Sequence, residues 1–141
     1  MTAHTTDAGA ELQVQAASAY LKLVRDFVRD AAVRQGCTPQ VAGDLVSAVD
    51  EACQNVIRYA YGTDPGGPLT VRVARDDDRL LIRIIDEAPA VDPGVIEPQP
   101  LDISRPGGLG THVMHAAADE ITLPPGAAGS GNPLCLTRRI A

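Results

Sequence analysis

An α+β fold, with helices layered on one face of a mixed or antiparallel sheet, is predicted by three features of this 141-residue sequence. Hydrophobic periods run in the order β-α-α-β-β-loop-α-β-β, so two helices follow one another with no strand between them, which excludes a doubly wound parallel sheet. The composition, 45% hydrophobic and 21% charged, is globular. A chain of this length buries roughly two-thirds of its unfolded surface, and with aromatic residues at 3%, Ala, Val, Leu and Ile must fill the core. Residues 1–9 read as a loose polar tail and residues 10–141 as a single domain.

The elements follow in order. The opening MTAHTTDAGA has neither a basic start nor an apolar run, so it is not read as a secretory signal. ELQVQA at 11–16 alternates apolar and polar residues, the pattern of a short strand. In the next segment Leu21, Val24, Phe27, Val28 and Ala31 recur at helical spacing, and Gly36 stands in the C-capping position. Thr38-Pro39 reads as an N-cap followed by a first-turn proline. The second helix then runs to Tyr61, with Val41, Leu45, Ala48, Val49, Ala52, Val56 and Ala60 on one side and Gly62 as its stop. GTDPGGP at 62–68 is a loop. Leu69, Val71 and Val73, then Leu80, Ile82 and Ile84, alternate on either side of the charged turn RDDDR, a hairpin signal. Leu81 and Ile85 make its second strand less one-sided. Five prolines between 87 and 106 argue against regular structure there, and a loop of that length is often functional. GGLGTHVMHAAADEI begins with glycines and becomes helical. PPGAAGSG is a hairpin turn, and PLCLTRRI is a closing strand.

Charge and cysteine usage exclude several functions. Twelve Lys and Arg against eighteen Asp and Glu give a formal charge of −6 with no basic run, which disfavours nucleic acid and anionic lipid as partners. No apolar stretch approaches membrane-spanning length. Cys37, Cys53 and Cys135 are odd in number, lack CxxC spacing and show no zinc-site spacing with His4, His112 or His115. They read as reduced thiols, and the compartment as the cytoplasm.

Three motifs carry chemistry. Glu51 and Asn55 lie four residues apart on the second helix, about 1.1 turns, and so project from nearly the same side, beside the apolar stripe. A carboxylate and a carboxamide there suit a nucleophilic oxygen and a hydrated Mg²⁺, which needs only one or two protein ligands. Asp86 ends an apolar strand, where a carboxylate can accept from an amine such as that of adenine. Arg105-Pro106-Gly107-Gly108-Leu109-Gly110 leads into a helix, and glycine amides at a helix start bind phosphate. Each motif also has an ordinary reading: a solvated helix face, a strand-ending Asp before a turn, a flexible helix start.

Taken in order, the three motifs resemble the N box, first glycine box and second glycine box of the GHKL (Bergerat-type) nucleotide-binding fold, and no GxxxxGK[ST] motif is present. Within that superfamily the chain is most similar to the RsbW-like anti-sigma factor serine/threonine kinases. The resemblance rests on DEACQNVIRYAYG, on Val91-Asp92-Pro93 after the first glycine box, on GGLGTHVMHAAADEI and on GNPLCLTRR. It implies a two-layer sandwich with a mixed, mostly antiparallel sheet and helices on one face. By the same resemblance, Glu51 orients or deprotonates the attacking hydroxyl, Asn55 is the Mg²⁺ ligand and Asp86 accepts from the adenine amine. Ala88 and Ala90 lie under the nucleotide, and Gly107, Gly108, Leu109, Gly110 and Thr111 cover its phosphates. The chain departs from the family at Ala88 and Ala90, where glycine is frequent. The implied activity is ATP- and Mg²⁺-dependent phosphorylation of a serine on a STAS-type anti-sigma factor antagonist, combined with sequestration of a sigma factor by a homodimer. Two alternatives are a non-catalytic module with ATP as conformational ligand and a switch-type kinase acting on scaffold proteins. Histidine autophosphorylation is disfavoured, because no upstream helical hairpin carries a histidine.

Overall fold

The computed structural model describes residues 2–6, 9–88, 117–122 and 133–140. Strands β1 (Thr2–Thr6) and β2 (Gly9–Gln15) come first, followed by a single 3-10 turn, Ser18–Tyr20. Helices α1 (Leu21–Arg34) and α2 (Pro39–Asn55) are next, and α2 continues as a π-helical segment, Val56–Tyr61. Strands β3 (Pro68–Asp76), β4 (Arg79–Asp86), β5 (Glu120–Thr122) and β6 (Pro133–Arg139) complete the described elements. They form one sheet in the order β1-β2-β3-β4-β6-β5, with every described pairing antiparallel. The α+β reading holds, and the sheet is antiparallel among the described residues rather than mixed. The glycine-rich helix start and the turn expected at 124–131 lie outside the described residues.

The helices form one layer. On α1 the buried residues are Val24, Val28, Ala31 and Ala32. On α2 they are Ala42, Leu45, Val46, Ala48, Val49, Ala52 and Cys53, a broader face than the predicted stripe. These pack in one core with Leu12 and Val14 of β2, Leu69, Val71 and Val73 of β3, Leu80, Ile82 and Ile84 of β4 and Leu136 of β6. Alternation does the sorting, since successive strand residues face opposite sides. Leu81 and Ile85 accordingly fall on the other face of β4, where they are half-buried.

The helix boundaries follow the capping residues. Gly36 has φ +105° and Gly62 has φ +71°, the left-handed conformation a helix stop uses. Thr38 is extended, and its Oγ1 accepts from the Val41 amide at 3.2 Å, with Pro39 in the first turn. The β3–β4 hairpin closes tightly. Asp76 still pairs with Arg79, and Asp77 has φ 56°, so Asp77-Asp78 alone form the turn.

Two expectations need correction. The segment read as a loose tail contains β1, paired with β2 from Thr2↔Gln13 to Thr6↔Gly9. The exposed edge of β2 offers backbone partners to any extended segment, and three of the five residues of β1 are β-branched threonines. The second helix ends at Tyr61 as predicted, but its last part is wound wider: the Gly62 amide reaches back to the Ile57 carbonyl at 2.9 Å, a five-residue step.

Thr38→Ala removes the only side-chain cap at the start of α2 and should lower unfolding free energy by about 1 kcal/mol. Urea denaturation checks this, with an unchanged slope and a lower midpoint expected.

Candidate functional site

The row of side chains that β4 sends into the core is Leu80, Ile82, Ile84 and Asp86, all at most 2% exposed. A carboxylate thus ends an otherwise apolar row, on the sheet face that α2 covers. Asp86 pairs in register with Leu69 at the start of β3. Its Oδ1 accepts from the Ala88 amide at 3.0 Å, closing a local turn just past the strand. Ala88 is itself buried. Among the described residues Asp77 alone combines a side chain with positive φ, so alanine at position 88 is unstrained and no glycine is required there on backbone grounds.

Across from this row, α2 carries two adjacent acids in different situations. Asp50 is engaged by Arg25 of α1 at 2.9 Å and by the Gln54 amide at 2.8 Å, and Gln54 in turn accepts from Arg58 at 2.7 Å. Glu51 is half-buried and has no side-chain hydrogen bond or ion pair among the described residues. Asp50 therefore ties α2 to α1, while Glu51 keeps its acceptor capacity. One turn on, Asn55 is the last residue of regular α2, and its Oδ1 is buried without a partner. Buried polar atoms are nearly always satisfied, so an orphaned carboxamide oxygen at this position calls for an explanation. A hard cation with oxygen ligands would supply one. Among the described residues no three acidic, His or Cys side chains converge on a metal position. Asn55 Oδ1 would serve such an ion as one protein ligand.

A residue that sequence reasoning did not single out completes the arrangement. The Tyr61 hydroxyl accepts from the Glu87 amide at 2.8 Å and donates to the Pro68 carbonyl at 2.6 Å. Burial holds its phenol above the ordinary value against the opposing Glu87 N–H, and the charges of Asp86 and Glu87 add to burial. The phenol is therefore a protonated donor at neutral pH. The helical period gives no hint of this role. The only available signal is that a half-buried tyrosine still takes a partner for its hydroxyl.

The structure thus puts Glu51 and Asn55 on the helix layer and the buried Asp86 and Ala88 at and just past the end of β4. Ala90, Gly107, Gly108, Leu109, Gly110 and Thr111 lie outside the described residues. The three cysteines are free and buried. Cys53, between Glu51 and Asn55, points into the core, where burial and the Asp50 charge push its thiol up to about 12. No helix among the described residues is long and apolar enough to cross a membrane.

The sequence profile of the histidine kinase-like ATPase domain matches residues 14–138. The chain is 32% identical over 119 residues to serine-protein kinase RsbW of Bacillus subtilis, an alignment covering 79% of this chain and 74% of the relative. It is 30% identical over 119 residues to the protein of the same name from Bacillus licheniformis, with the same coverage. Its fold is similar to a crystal structure of the RsbU and RsbW domains of Rv1364c from Mycobacterium tuberculosis, at TM-score 0.64 and 21% identity over 92% of this chain. The match spans 32% of that longer chain.

Because the folded pKa of Cys53 lies above the ordinary 9.0, the neutral thiol contributes fully below about pH 9, and its contribution is lost as pH rises toward 12. Alkylation of native protein at pH 8 should spare Cys53, whereas denatured protein should react at all three cysteines. Rapid labelling of Cys53 in the native state would contradict its placement.

Proposed function

The chain belongs to the histidine kinase-like ATPase family, in its RsbW-like serine-protein kinase branch, and on that premise we propose that it transfers the γ-phosphoryl of ATP to a serine of an anti-sigma factor antagonist protein and also sequesters a sigma factor. ATP use is a property of the family. The target, the sigma factor, action as a homodimer and a cytoplasmic location extend the motif resemblance to this chain. The observation that carries the reading is the unpartnered, buried Asn55 Oδ1 on α2, together with the buried Asp86 carboxylate that ends the core-facing row of β4 as a second polar group in the core.

In this reading Asp86 accepts from the exocyclic amine of adenine, with the backbone at Ala88 beneath the base. Ala90, Gly107, Gly108, Leu109, Gly110 and Thr111 are assigned to the nucleotide from the sequence motifs. Asn55 Oδ1 would hold Mg²⁺, which when bound would neutralise phosphate charge. Glu51 accepts the proton of the serine hydroxyl. The serine oxygen bonds to the γ-phosphorus, the bond from that phosphorus to the β-phosphate oxygen breaks, and ADP leaves. Such transfer depends on positioning and charge neutralisation, with no covalent enzyme intermediate. The free valence of Glu51 supports its role as proton acceptor, since its neighbour Asp50 is already committed to Arg25 and Gln54.

Two substitutions separate binding from chemistry. Asp86→Asn should weaken ATP binding by about 1.5–3 kcal/mol in calorimetry, the range for a hydrogen bond to a charged group. Glu51→Gln should leave ATP affinity nearly unchanged and slow phosphoserine formation on the antagonist by roughly 10²–10⁴-fold, the contribution of a general base. Sigma-factor binding should persist in Glu51→Gln. A wild-type protein that binds partners yet forms no phosphoserine would instead be a regulatory module without kinase activity.

A further inference from the structure

The β3–β4 ladder ends in an unusual way. Its register pairs Leu69 with Asp86, so Pro68 and Glu87 are the next opposed residues. Proline has no amide hydrogen, so this pair cannot exchange two backbone bonds. The Tyr61 hydroxyl stands between the two residues instead, accepting from the Glu87 N–H at 2.8 Å and donating to the Pro68 carbonyl at 2.6 Å. A side chain from the end of the π-helical segment thereby serves as the last rung of the ladder. It fixes the backbone immediately after Asp86, where the Ala88 amide returns to the Asp86 carboxylate at 3.0 Å.

The ring is held from behind. A Cβ on Gly66 would meet Tyr61 Cδ2 at 2.7 Å, and one on Gly67 would meet Cε1 at 2.7 Å, Cζ at 2.9 Å and the hydroxyl at 3.0 Å. These glycines are anchored in turn. The Gly66 amide donates to the Ala16 carbonyl at 2.7 Å, and the Ala16 amide donates to the Gly67 carbonyl at 2.9 Å. The glycine pair is therefore a backbone surface against which only the bare ring fits.

We infer that Tyr61 is the positioning residue for Asp86: by bridging Pro68 and Glu87 it sets the direction of the Asp86 carboxylate, and so sets selectivity for a purine that carries an exocyclic amine. The inference rests on the nucleotide reading of Asp86. An acceptor-only carboxylate accepts from an amine and cannot pair with a carbonyl, and a fixed direction makes that contact direct. A carboxylate free to swing would follow either base with a water between.

The test is calorimetric binding of ATP and of inosine triphosphate, which has a carbonyl in place of the amine, to the full chain. Tyr61→Phe keeps the ring on the glycine pair and removes both hydrogen bonds. ATP affinity should fall about three- to tenfold, the worth of a hydrogen bond or two, while inosine triphosphate affinity stays unchanged. Gly67→Ala keeps the phenol but displaces it, and should narrow the ATP preference in the same direction. It decides the matter if Tyr61→Phe does not fold. Equal loss for both nucleotides would make Tyr61 merely structural and overturn the inference, as would full ATP preference in both variants. Wild-type protein that binds both nucleotides equally would remove Asp86 from the base site, a failure of the underlying reading and distinct from the other two.

Discussion

The register of β4 is the constraint on which the site depends. Strand side chains alternate, so a slip of one residue would turn the whole inward row to the open face and take Asp86 with it. Leu80, Ile82 and Ile84 prevent that slip, because each is almost wholly buried. Burying side chains of this kind stabilises by roughly 1.5–3 kcal/mol each, and three together rival the net stability of an entire domain, about 5–15 kcal/mol. A buried carboxylate, unfavourable by itself, is thus carried to its place by the apolar residues that precede it. The neighbouring strands β3 and β6 hold β4 on both edges, which leaves Asp86 at a defined position in a central strand.

The helix layer meets the same requirement by a division of labour between adjacent residues. Asp50 and Gln54 spend their polar groups on Arg25 and Arg58, and this ladder secures α2 against α1. Glu51 and Asn55 stand beside it and keep acceptors in reserve. An unsatisfied buried acceptor costs on the order of 1–3 kcal/mol. A site that is to bind charge must leave some groups unsatisfied in the empty protein, and must take its rigidity from neighbours whose groups are satisfied.

What the sequence made legible follows from local rules. Gly36, Thr38, Pro39 and Gly62 mark helix ends because their φ preferences and side-chain chemistry act within one turn. The alternation of Leu69 to Ile84 marks the hairpin because only one face of those strands is buried. Glu51, Asn55 and Asp86 could be singled out because order and spacing along the chain survive folding, and the structure then sets them on facing layers. Four features were not legible. β1 depends on backbone bonds to the edge of β2, to which side-chain pattern contributes little. The π winding after Asn55 differs from an α-helix by one residue in its hydrogen-bond step, which no hydrophobic period registers. The role of Tyr61 depends on where β3 and β4 diverge, a relation between segments rather than within one. The placement of alanine at position 88 likewise becomes intelligible only in three dimensions, where its ordinary φ and its burial show that a side chain is accommodated.

The scarcity of aromatic residues, 3% of the chain, bears on the site as well as on the core. The buried face of α2 contains Ala42, Ala48, Ala52 and Cys53, small side chains that let a helix backbone lie close to a sheet. Large aromatics in those places would hold the layers apart and widen the gap between Asn55 and the end of β4. The one aromatic at the strand end, Tyr61, is used in a different way: its ring lies on glycine backbone and its hydroxyl bridges Pro68 of β3 and Glu87 just past β4. Small residues bring the two layers together, and a single large one fixes the end of the strand that carries Asp86. The composition that first predicted an aliphatic core therefore also sets the spacing of the two layers that carry the candidate site.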